Sequence, residues 1–204
     1  WIYQNKKGLK SKSLTSLAKG KNPIYWYIMI IPDQSASFIS INIGLITISD
    51  SRIEDNDKSG NILKERINNF GHKVYKKLII SDDLENIKNT LLMLSKDRMV
   101  DAIITTGGTG LTGRDSTPEA IMDLSDKLID GFGELFRQLS YNKIGTSTIQ
   151  SRAIAAIINH TYVFSLPGSP GACRDGWDDI LQYQLDSRHK PCNFIEIMPR
   201  LKEK

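Results

Sequence analysis

Residues 101–120 combine the signals of a buried strand, a glycine-rich loop and a helix start. The apolar run Ala102–Ile104 is typical of a short buried strand, and two threonines extend it. Three glycines then fall within four residues, at Gly107, Gly108 and Gly110. The order Thr117–Glu119 predicts a helix with Thr117 at the N-cap and Pro118 at the first helical position. A strand that leads through a tight loop into a helix is the repeating unit of an α/β fold.

The loop between this strand and this helix has the chemistry of an anion site, most simply a phosphate site. Glycine has no Cβ, so its backbone N–H can come close to a ligand, and a helix N-terminus adds partial positive charge. Arg114 offers a forked donor to phosphate, and Asp115 can hold Mg²⁺ through its carboxylate oxygens. The spacing matches neither Gly-x-Gly-x-x-Gly nor the Walker pattern. A tight turn with an exposed Arg–Asp pair would use the same residues, so the pattern alone leaves that alternative open.

Strand and helix patterns alternate along the rest of the chain. Apolar β-branched runs mark strands, while apolar residues at helical spacing, such as Ile87, Leu91 and Leu94, mark helices. This alternation predicts an α/β fold with a mostly parallel sheet covered by helices on both faces. The predicted strands are residues 41–49, 74–80, 102–105 and 162–166. The predicted helices are residues 61–70, 84–94, 118 onwards, 131–139, 146–159 and 172–183.

Polar or glycine-rich loops follow all four predicted strands, at residues 49–52, 81–83, 106–116 and 167–171. Ligands of open parallel sheets bind at the carboxyl ends of the strands, so these loops are expected to line one shared site. Asp50, Asp82 and Asp115 are the candidate acids of these loops. Asp82 also stands just before a predicted helix, where a role as N-cap is the alternative.

The four loops contain no His, no Cys and no Ser-His-Asp arrangement. Cys173 follows the last loop, and a buried inert thiol is a simpler explanation for it than activation at a helix N-terminus. Glycine loops, acids and an Arg without a nucleophile or general base suit phosphoryl or nucleotidyl transfer, which needs positioning, Mg²⁺ and charge neutralisation. An attacking phosphate oxygen is already deprotonated at neutral pH. The residues by themselves therefore predict a phosphate-handling α/β protein of unspecified substrate.

The excess positive charge of the chain is confined to its beginning. The formal net charge is +4, but residues 1–35 contain six lysines and a single acid, Asp33. The remaining residues carry 21 basic and 22 acidic side chains, so the body lacks the basic surface typical of nucleic-acid binding. Two cysteines, Cys173 and Cys192, suggest neither a disulfide framework nor a zinc site, and this usage fits a reducing, cytoplasmic location.

The first 38 residues differ in composition from the rest, and residues 39–204 are expected to form a single domain. Residues 4–22 are rich in Lys, Ser and Gly and lack periodicity, which predicts disorder. The eight apolar residues Ile24–Ile31 are too few to span a membrane as a helix. These features together resemble a secretory signal in outline. The favoured hypothesis is that the chain includes sequence upstream of a native start at Met29.

Several segments of the chain resemble the signature sequences of the MoaB/MogA family of molybdenum cofactor biosynthesis proteins. The similarity extends from about residue 38 to residue 197, and its most specific part is Thr105–Ala120. The segment Gln184–Phe194 is similar to the MoaB branch in particular. The other matching segments are Thr47–Arg52, Asp57–Gly60, Gly131–Arg137, Gly145–Ala153 and Leu166–Arg174.

The resemblance implies a three-layer α/β fold that binds molybdopterin and assembles as a homotrimer or a homohexamer. In active members, the terminal phosphate of molybdopterin attacks the α-phosphate of MgATP, giving adenylyl-molybdopterin and pyrophosphate. The implied partners are a pterin and a nucleotide, with no nucleic acid and no membrane. Some MoaB proteins bind the pterin without adenylating it, and their loops lack the Arg-Asp-Ser/Val-Thr-Pro stretch. Because this chain retains Arg114–Pro118, catalysis is the favoured interpretation, and a non-catalytic molybdopterin-binding protein is the alternative.

The resemblance also implies roles for individual residues. Asp115 matches the catalytic, metal-associated acid of the family and Asp82 matches a second acid, so both are expected to be catalytic and to hold Mg²⁺. Ser81 stands where the family usually has a Pro before this second acid. The implied binding residues for pterin or nucleotide are Asp50, Gly107, Gly108, Thr109, Gly110, Arg114, Ser116, Thr117, Ser151, Arg152, Pro167, Gly168 and Ser169.

Overall fold

Six strands form one sheet in the computed structural model, which describes residues 32–33 and 35–203. The strands are β1 (Asn42–Ile48), β2 (Lys73–Ile80), β3 (Ala102–Thr106), β4 (Lys127–Leu128), β5 (Ile154–Ile158) and β6 (Thr161–Leu166). Their order across the sheet is β2-β1-β3-β6-β5-β4. The first four strands in this order are parallel neighbours, whereas β5 and β4 pair antiparallel at one edge. The mostly parallel sheet predicted from the sequence is confirmed.

Helices cover both faces of this sheet. The α-helices are α1 (Lys58–Phe70), α2 (Leu84–Ser95), α3 (Thr117–Leu124), α4 (Asp130–Ile144), α5 (Pro170–Gly176), α6 (Gln182–Gln184) and α7 (Phe194–Ile197). A π-helical turn, Trp177–Leu181, joins α5 to α6. Shorter 3-10 helices occupy Glu54–Asn56, Gly145–Gln150 and Met198–Lys202.

Two hydrophobic cores lie between the sheet and its two helical layers. Leu63 of α1, Phe136 of α4 and Trp177 of the π turn pack against one face. Leu91 of α2 and Ile121 of α3 pack against the other. Because both faces are covered, successive residues along the central strands are buried alike, and every residue of β3 and β6 is buried. This arrangement leaves the loops at the carboxyl ends of the parallel strands as the open edge of the domain.

The helix predicted for residues 146–159 is wrong. Residues 145–150 form a 3-10 helix, and residues 154–158 are strand β5, which pairs antiparallel with β6. The connection to β6 is only Asn159 and His160, whose φ angles of 49° and 63° are those of a two-residue hairpin turn. Closely spaced alanines imitate a helix face here, but pairing with β6 and burial between the layers decide the conformation.

The helix ends refine three sequence predictions. Helix α1 ends at Gly71, whose φ of 108° is the left-handed stop that the sequence predicts. Helix α2 is capped by Asp83, whose carboxylate accepts the N–H of Asn86 at 3.0 Å, so Asp82 is not the cap. The prediction of Thr117 as N-cap of α3 is wrong by one residue, because Ser116 holds that position.

Three expectations for the beginning of the chain lie outside the described residues. They are the start at Met29, the disorder of residues 4–22 and the apolar run 24–31. The domain boundary at residue 38 stays a prediction. Within residues 32–33 and 35–203, no helix combines the length and the apolar composition needed to cross a membrane.

His72 is a buried histidine held in its neutral form. Its ring lies against Phe70 and Trp177 in the first core, and its Nδ1 accepts the N–H of Ile41 at 3.2 Å. Burial lowers the pKa of His72 to about 4, although the charge of Asp186 acts in the opposite direction.

Acid is therefore expected to destabilise the fold through His72. Below the ordinary pKa of 6.5 the unfolded chain takes up a proton that the folded chain does not, so the free energy of unfolding falls as the pH drops towards 4. At about 1.4 kcal/mol per pKa unit, the loss approaches roughly 3 kcal/mol. His72→Asn keeps an acceptor for Ile41 but does not titrate, so urea unfolding across this pH range should show a flatter profile. The exposed His160→Asn is the control, and a His72→Asn slope equal to that of the control would contradict the assignment.

Candidate functional site

The loops that follow β1, β2, β3 and β6 meet at one edge of the sheet and line a cleft of about 750 Å³. The four loops that the sequence places at one site therefore do lie together. Of the sequence-predicted residues, those lining the cleft are Asp50, Asp82, Gly107, Gly108, Thr109, Gly110, Asp115, Ser151, Pro167, Gly168 and Ser169. Those that do not line it are Arg114, Ser116, Thr117 and Arg152.

The glycine loop after β3 has a backbone that only glycine fits. Gly107 has a φ of 106°, and a Cβ there would lie 2.1 Å from the carbonyl oxygen of Ile48. Gly108 has a φ of 62°, and a Cβ there would lie 2.2 Å from Oγ1 of Thr117. Among the described residues, the N–H groups of Gly108 and Thr109 donate to no backbone carbonyl. The loop therefore presents free donors at the cleft, as a phosphate site requires.

Thr117 supports the glycine loop from the start of α3 instead of lining the cleft. Its hydroxyl donates to the carbonyl of Gly107 at 3.1 Å, and its N–H donates to the carbonyl of Gly108 at 3.0 Å. Its side chain is fully buried and is used to fix the loop, and the ligand contact expected of Thr117 stays a prediction.

Asp82 brings a partly buried carboxylate to the cleft. Its Oδ1 is buried and has no hydrogen-bond partner within the part of the chain that the structure describes. Burial raises the pKa of Asp82, and the nearby charges of Asp115 and Asp50 raise it further. An unpaired carboxylate oxygen among like charges is costly unless a cation neutralises it. Protonation of Asp82 or a bound cation would each remove this cost.

Asp115 lies on the glycine loop after β3, and its pKa is shifted in the opposite direction from that of Asp82. Its Oδ2 accepts the hydroxyl of Thr112 at 2.5 Å and the N–H of Thr112 at 3.0 Å. These bonds hold the pKa of Asp115 below its usual value despite partial burial, so the carboxylate is ionised at neutral pH. Two carboxyl groups whose pKa values are pushed apart within one cleft are typical of a functional site.

Arg114 and Ser116 do not have the positions that the resemblance implies. Arg114 is mostly exposed and lies 2.8 Å from Oδ2 of Asp50, an ion pair different from the exposed Arg114–Asp115 pair that the sequence leaves open as an alternative. Ser116 is the N-cap residue of α3, but its buried Oγ bonds no other described group. Neither side chain lines the cleft in this arrangement.

The loop after β6 is tied to the body of the domain through its carbonyl groups. The carbonyl of Gly168 accepts Nη2 of Arg52 at 2.7 Å and Oγ of Ser59 at 2.8 Å. The carbonyl of Pro167 accepts Oγ1 of Thr106 at 3.1 Å. These bonds fix the loop directly beside the glycine loop, since a Cβ at position 168 would lie 3.3 Å from Cα of Gly107.

A fully buried carboxylate, Asp57, supports this corner of the cleft. It accepts the hydroxyl of Thr47 at 2.8 Å and the N–H of Gly60 at 2.9 Å, and it caps α1. Lys77 lies 3.0 Å from it and Arg52 lies 3.6 Å from it. Asp57 and Arg52 are not among the individual site residues named from the sequence, although Asp is a preferred N-cap residue at a helix start.

Helix α4 and the 3-10 helix after it form the remaining wall of the cleft. This wall combines apolar and polar side chains: Phe136, Ser140, Lys143, Ile144, Ser147 and Gln150. Lys143 pairs with Asp175 at 2.6 Å and with Asp179 at 2.8 Å, which links α4 to α5 and the π turn. The residue pattern of α4 is that of an ordinary core-facing helix, so only the family resemblance of Gly131–Arg137 and Gly145–Ala153 points to this wall.

Cys173 is buried behind the cleft and does not line it. Its Sγ lies 3.1 Å from Oγ1 of Thr106, and burial raises the pKa of the thiol to about 11. A thiol in that state is a poor nucleophile, in agreement with the structural explanation that the sequence favours.

Within the described residues, no group of three or more His, Cys, Asp or Glu side chains is arranged to hold a metal ion. A cation at this cleft would therefore rely on one or two carboxylates and on oxygens that a substrate brings. That is the usual environment of Mg²⁺ in nucleotide-binding sites.

Comparison with known proteins gives one consistent result. The family model described as "Probable molybdopterin binding domain" matches residues 44–187. The chain is 43% identical over 160 residues to molybdenum cofactor biosynthesis protein B of Escherichia coli (strain K12), covering 78% of this chain and 94% of that protein. It is 50% identical over 142 residues to the protein of the same name from Bacillus cereus, covering 69% and 84%. A crystal structure of molybdenum cofactor biosynthesis protein B superposes with a TM-score of 0.75 at 39% identity, covering 83% of this chain and 100% of that one.

Proposed function

This chain belongs to the MoaB/MogA family of molybdenum cofactor biosynthesis proteins, and we propose that it adenylates molybdopterin in this cleft. The substrates are molybdopterin and MgATP, and the products are adenylyl-molybdopterin and pyrophosphate. The observation that carries the proposal is that Asp82 and Asp115 line the same cleft, beside a glycine loop with free amide donors. The amides suit phosphate oxygens, and the two carboxylates suit a metal ion bound to those oxygens.

The two acids fit a Mg²⁺ ion. Oδ1 of Asp82 is buried without a partner, and Asp115 is held in its ionised form. A divalent cation beside them would satisfy the unpaired oxygen and offset the repulsion among Asp50, Asp82 and Asp115. When bound, such an ion supplies charge neutralisation to phosphoryl oxygens.

The reaction needs no protein nucleophile, and none of the described residues that line the cleft is a His or a Cys. A terminal phosphate oxygen of molybdopterin forms a bond to the α-phosphorus of ATP. The bond from that phosphorus to the bridging oxygen breaks, and pyrophosphate leaves. The protein contributes by holding both phosphate groups in line at the glycine loop, while the loop after β6 and helix α4 enclose the substrates.

We also propose that the protein is a homo-oligomer, a trimer or a hexamer, and that it is cytoplasmic. A groove beside the edge strand β4 supports the first point, because Met122 and Leu128 are exposed there. Exposed apolar side chains next to an unpaired sheet edge are typical of subunit interfaces. The free thiols of Cys173 and Cys192 support the second point.

Pyrophosphate release tests the proposed reaction directly. The purified full chain, given molybdopterin and MgATP, should release one pyrophosphate for each adenylyl-molybdopterin formed, and chelation of Mg²⁺ should stop the release. Binding of molybdopterin without turnover would instead establish the non-catalytic alternative. ATP breakdown in the absence of the pterin would indicate a nucleotide hydrolase and would contradict the proposal.

A further inference from the structure

Asp115 stands at the end of a short surface loop, residues 110–115, that leaves the body of the domain and returns to it. The side chains of Leu111 and Arg114 on this loop are each about 69% exposed, so the loop itself has little hydrophobic packing. Segments with few buried contacts open locally at low free-energy cost. The position of the Asp115 carboxylate therefore depends on whatever holds the two ends of the loop together.

One guanidinium holds both ends. Nε of Arg152 donates to the carbonyl of Gly110 at 2.8 Å, and its Nη2 donates to the carbonyl of Asp115 at 2.6 Å. Its Nη1 forms an ion pair with Glu119 in the first turn of α3. The planar fork of arginine matches this arrangement of acceptors, whereas a lysine ammonium on a flexible stem does not.

Arg152 makes these contacts from outside the cleft. The preceding residue, Ser151, lines both the cleft and the groove between α3 and α4, whereas Arg152 lines only the groove. The guanidinium of Arg152 is therefore engaged by the loop carbonyls and is not part of the cleft lining. The role in pterin or nucleotide binding that the family resemblance implies for Arg152 stays a prediction.

We propose that Arg152 is a positioning residue that closes the 110–115 loop and so holds Asp115 at the cleft. Its effect on turnover rests on the proposed adenylation, but the closure of the loop does not. The loop contacts and the catalytic consequence can therefore be tested separately, by hydrogen exchange and by kinetics.

Hydrogen exchange of the full chain tests the closure. In Arg152→Lys, which keeps the charge but loses the fork, the amides of residues 111–115 should exchange at least about tenfold faster than in the wild type. Arg137→Lys is the matched control, because Arg137 also donates to a backbone carbonyl, that of Ala153 at 3.3 Å, but does not touch the loop. If Arg152→Lys does not fold, Glu119→Gln weakens the same clamp and should give a smaller acceleration. Unchanged exchange in the variant that folds would overturn the proposal.

Kinetics test the consequence for Asp115. Arg152→Lys should lower kcat with little change in the KM for ATP, and added ethylguanidinium should restore part of the turnover of Arg152→Ala. Faster exchange with wild-type kcat would show that loop closure does not position the acid, and would overturn the positioning role. If the wild type itself releases no pyrophosphate, the proposed function fails, while the exchange result still decides whether Arg152 closes the loop.

Discussion

Replacement of Asp115 by Asn should reduce adenylation of molybdopterin by roughly 100-fold or more while leaving the fold intact. Asn has the shape of Asp and can still accept the two bonds from Thr112, so the loop should keep its conformation. It lacks the negative charge, which the low pKa of Asp115 maintains in the wild type at neutral pH. The measurement is the rate of pyrophosphate release at saturating molybdopterin and MgATP, with the thermal midpoint determined in parallel.

Asp126→Asn is the control for this experiment, since Asp126 is exposed and does not line the cleft. It should release pyrophosphate at the wild-type rate. A near-normal rate in Asp115→Asn would remove Asp115 from the proposed metal site and leave Asp82 as its acid. A much lower thermal midpoint would instead assign the loss of activity to misfolding.

The parallel part of the sheet is predictable because each of its strands can be recognised from its own residues. Strands buried on both faces are predominantly apolar, so β1 and β6 are recognisable as mostly apolar runs without any knowledge of their partners. The location of the cleft can also be predicted, because parallel strands bring the loops at their carboxyl ends to one edge of the sheet. Asp82 and Asp115, 33 positions apart in the sequence, therefore meet in the cleft as expected.

The hairpin of β5 and β6 could not be predicted in the same way. Residues 154–158 are apolar and partly alanine-rich, and a short run of that kind fits a buried helix as well as a strand. The deciding contact is the pairing of Ile158 with Thr161 across two residues of positive φ. Asn-His is a weaker hairpin-turn signal than Asn-Gly, so the sequence indicates this hairpin only weakly.

The supporting roles of two arginines could not be predicted, for a different reason. Arg52 and Arg152 act on backbone carbonyls of loops that are distant in sequence, at Gly168 and at Gly110 and Asp115. A backbone carbonyl acceptor cannot be recognised in a sequence, because every residue has one. The family motif therefore implies ligand binding by Arg152, although here its guanidinium donates to the carbonyls of Gly110 and Asp115.

Replacement of Asp57 by Asn should lower the free energy of unfolding by about 3–5 kcal/mol. Asp57 is fully buried, and the side chain of Lys77 beside it is only 8% exposed. Burial acts to raise the pKa of Asp57, but the bonds from Gly60, Lys77 and Thr47 outweigh it and hold the pKa below its usual 3.8. Removing the charge leaves a nearly buried cation with Glu54 as its remaining anionic contact. Urea unfolding at neutral pH measures the loss.

The exposed Asp55→Asn, two residues away, is the matched control and should change the free energy of unfolding by less than about 0.5 kcal/mol.

Because the folded-state pKa of Asp57 is depressed, its contribution to stability is present above the ordinary value of 3.8 and is lost as the pH falls through the lower folded value. The difference between Asp57→Asn and wild type should therefore persist at neutral pH and shrink only in strong acid. Since Arg52 links Asp57 to the carbonyl of Gly168, the same variant should also loosen the loop after β6. Equal free energies of unfolding for Asp57→Asn and Asp55→Asn would show that the buried charge of Asp57 is not required to stabilise Lys77 and Arg52.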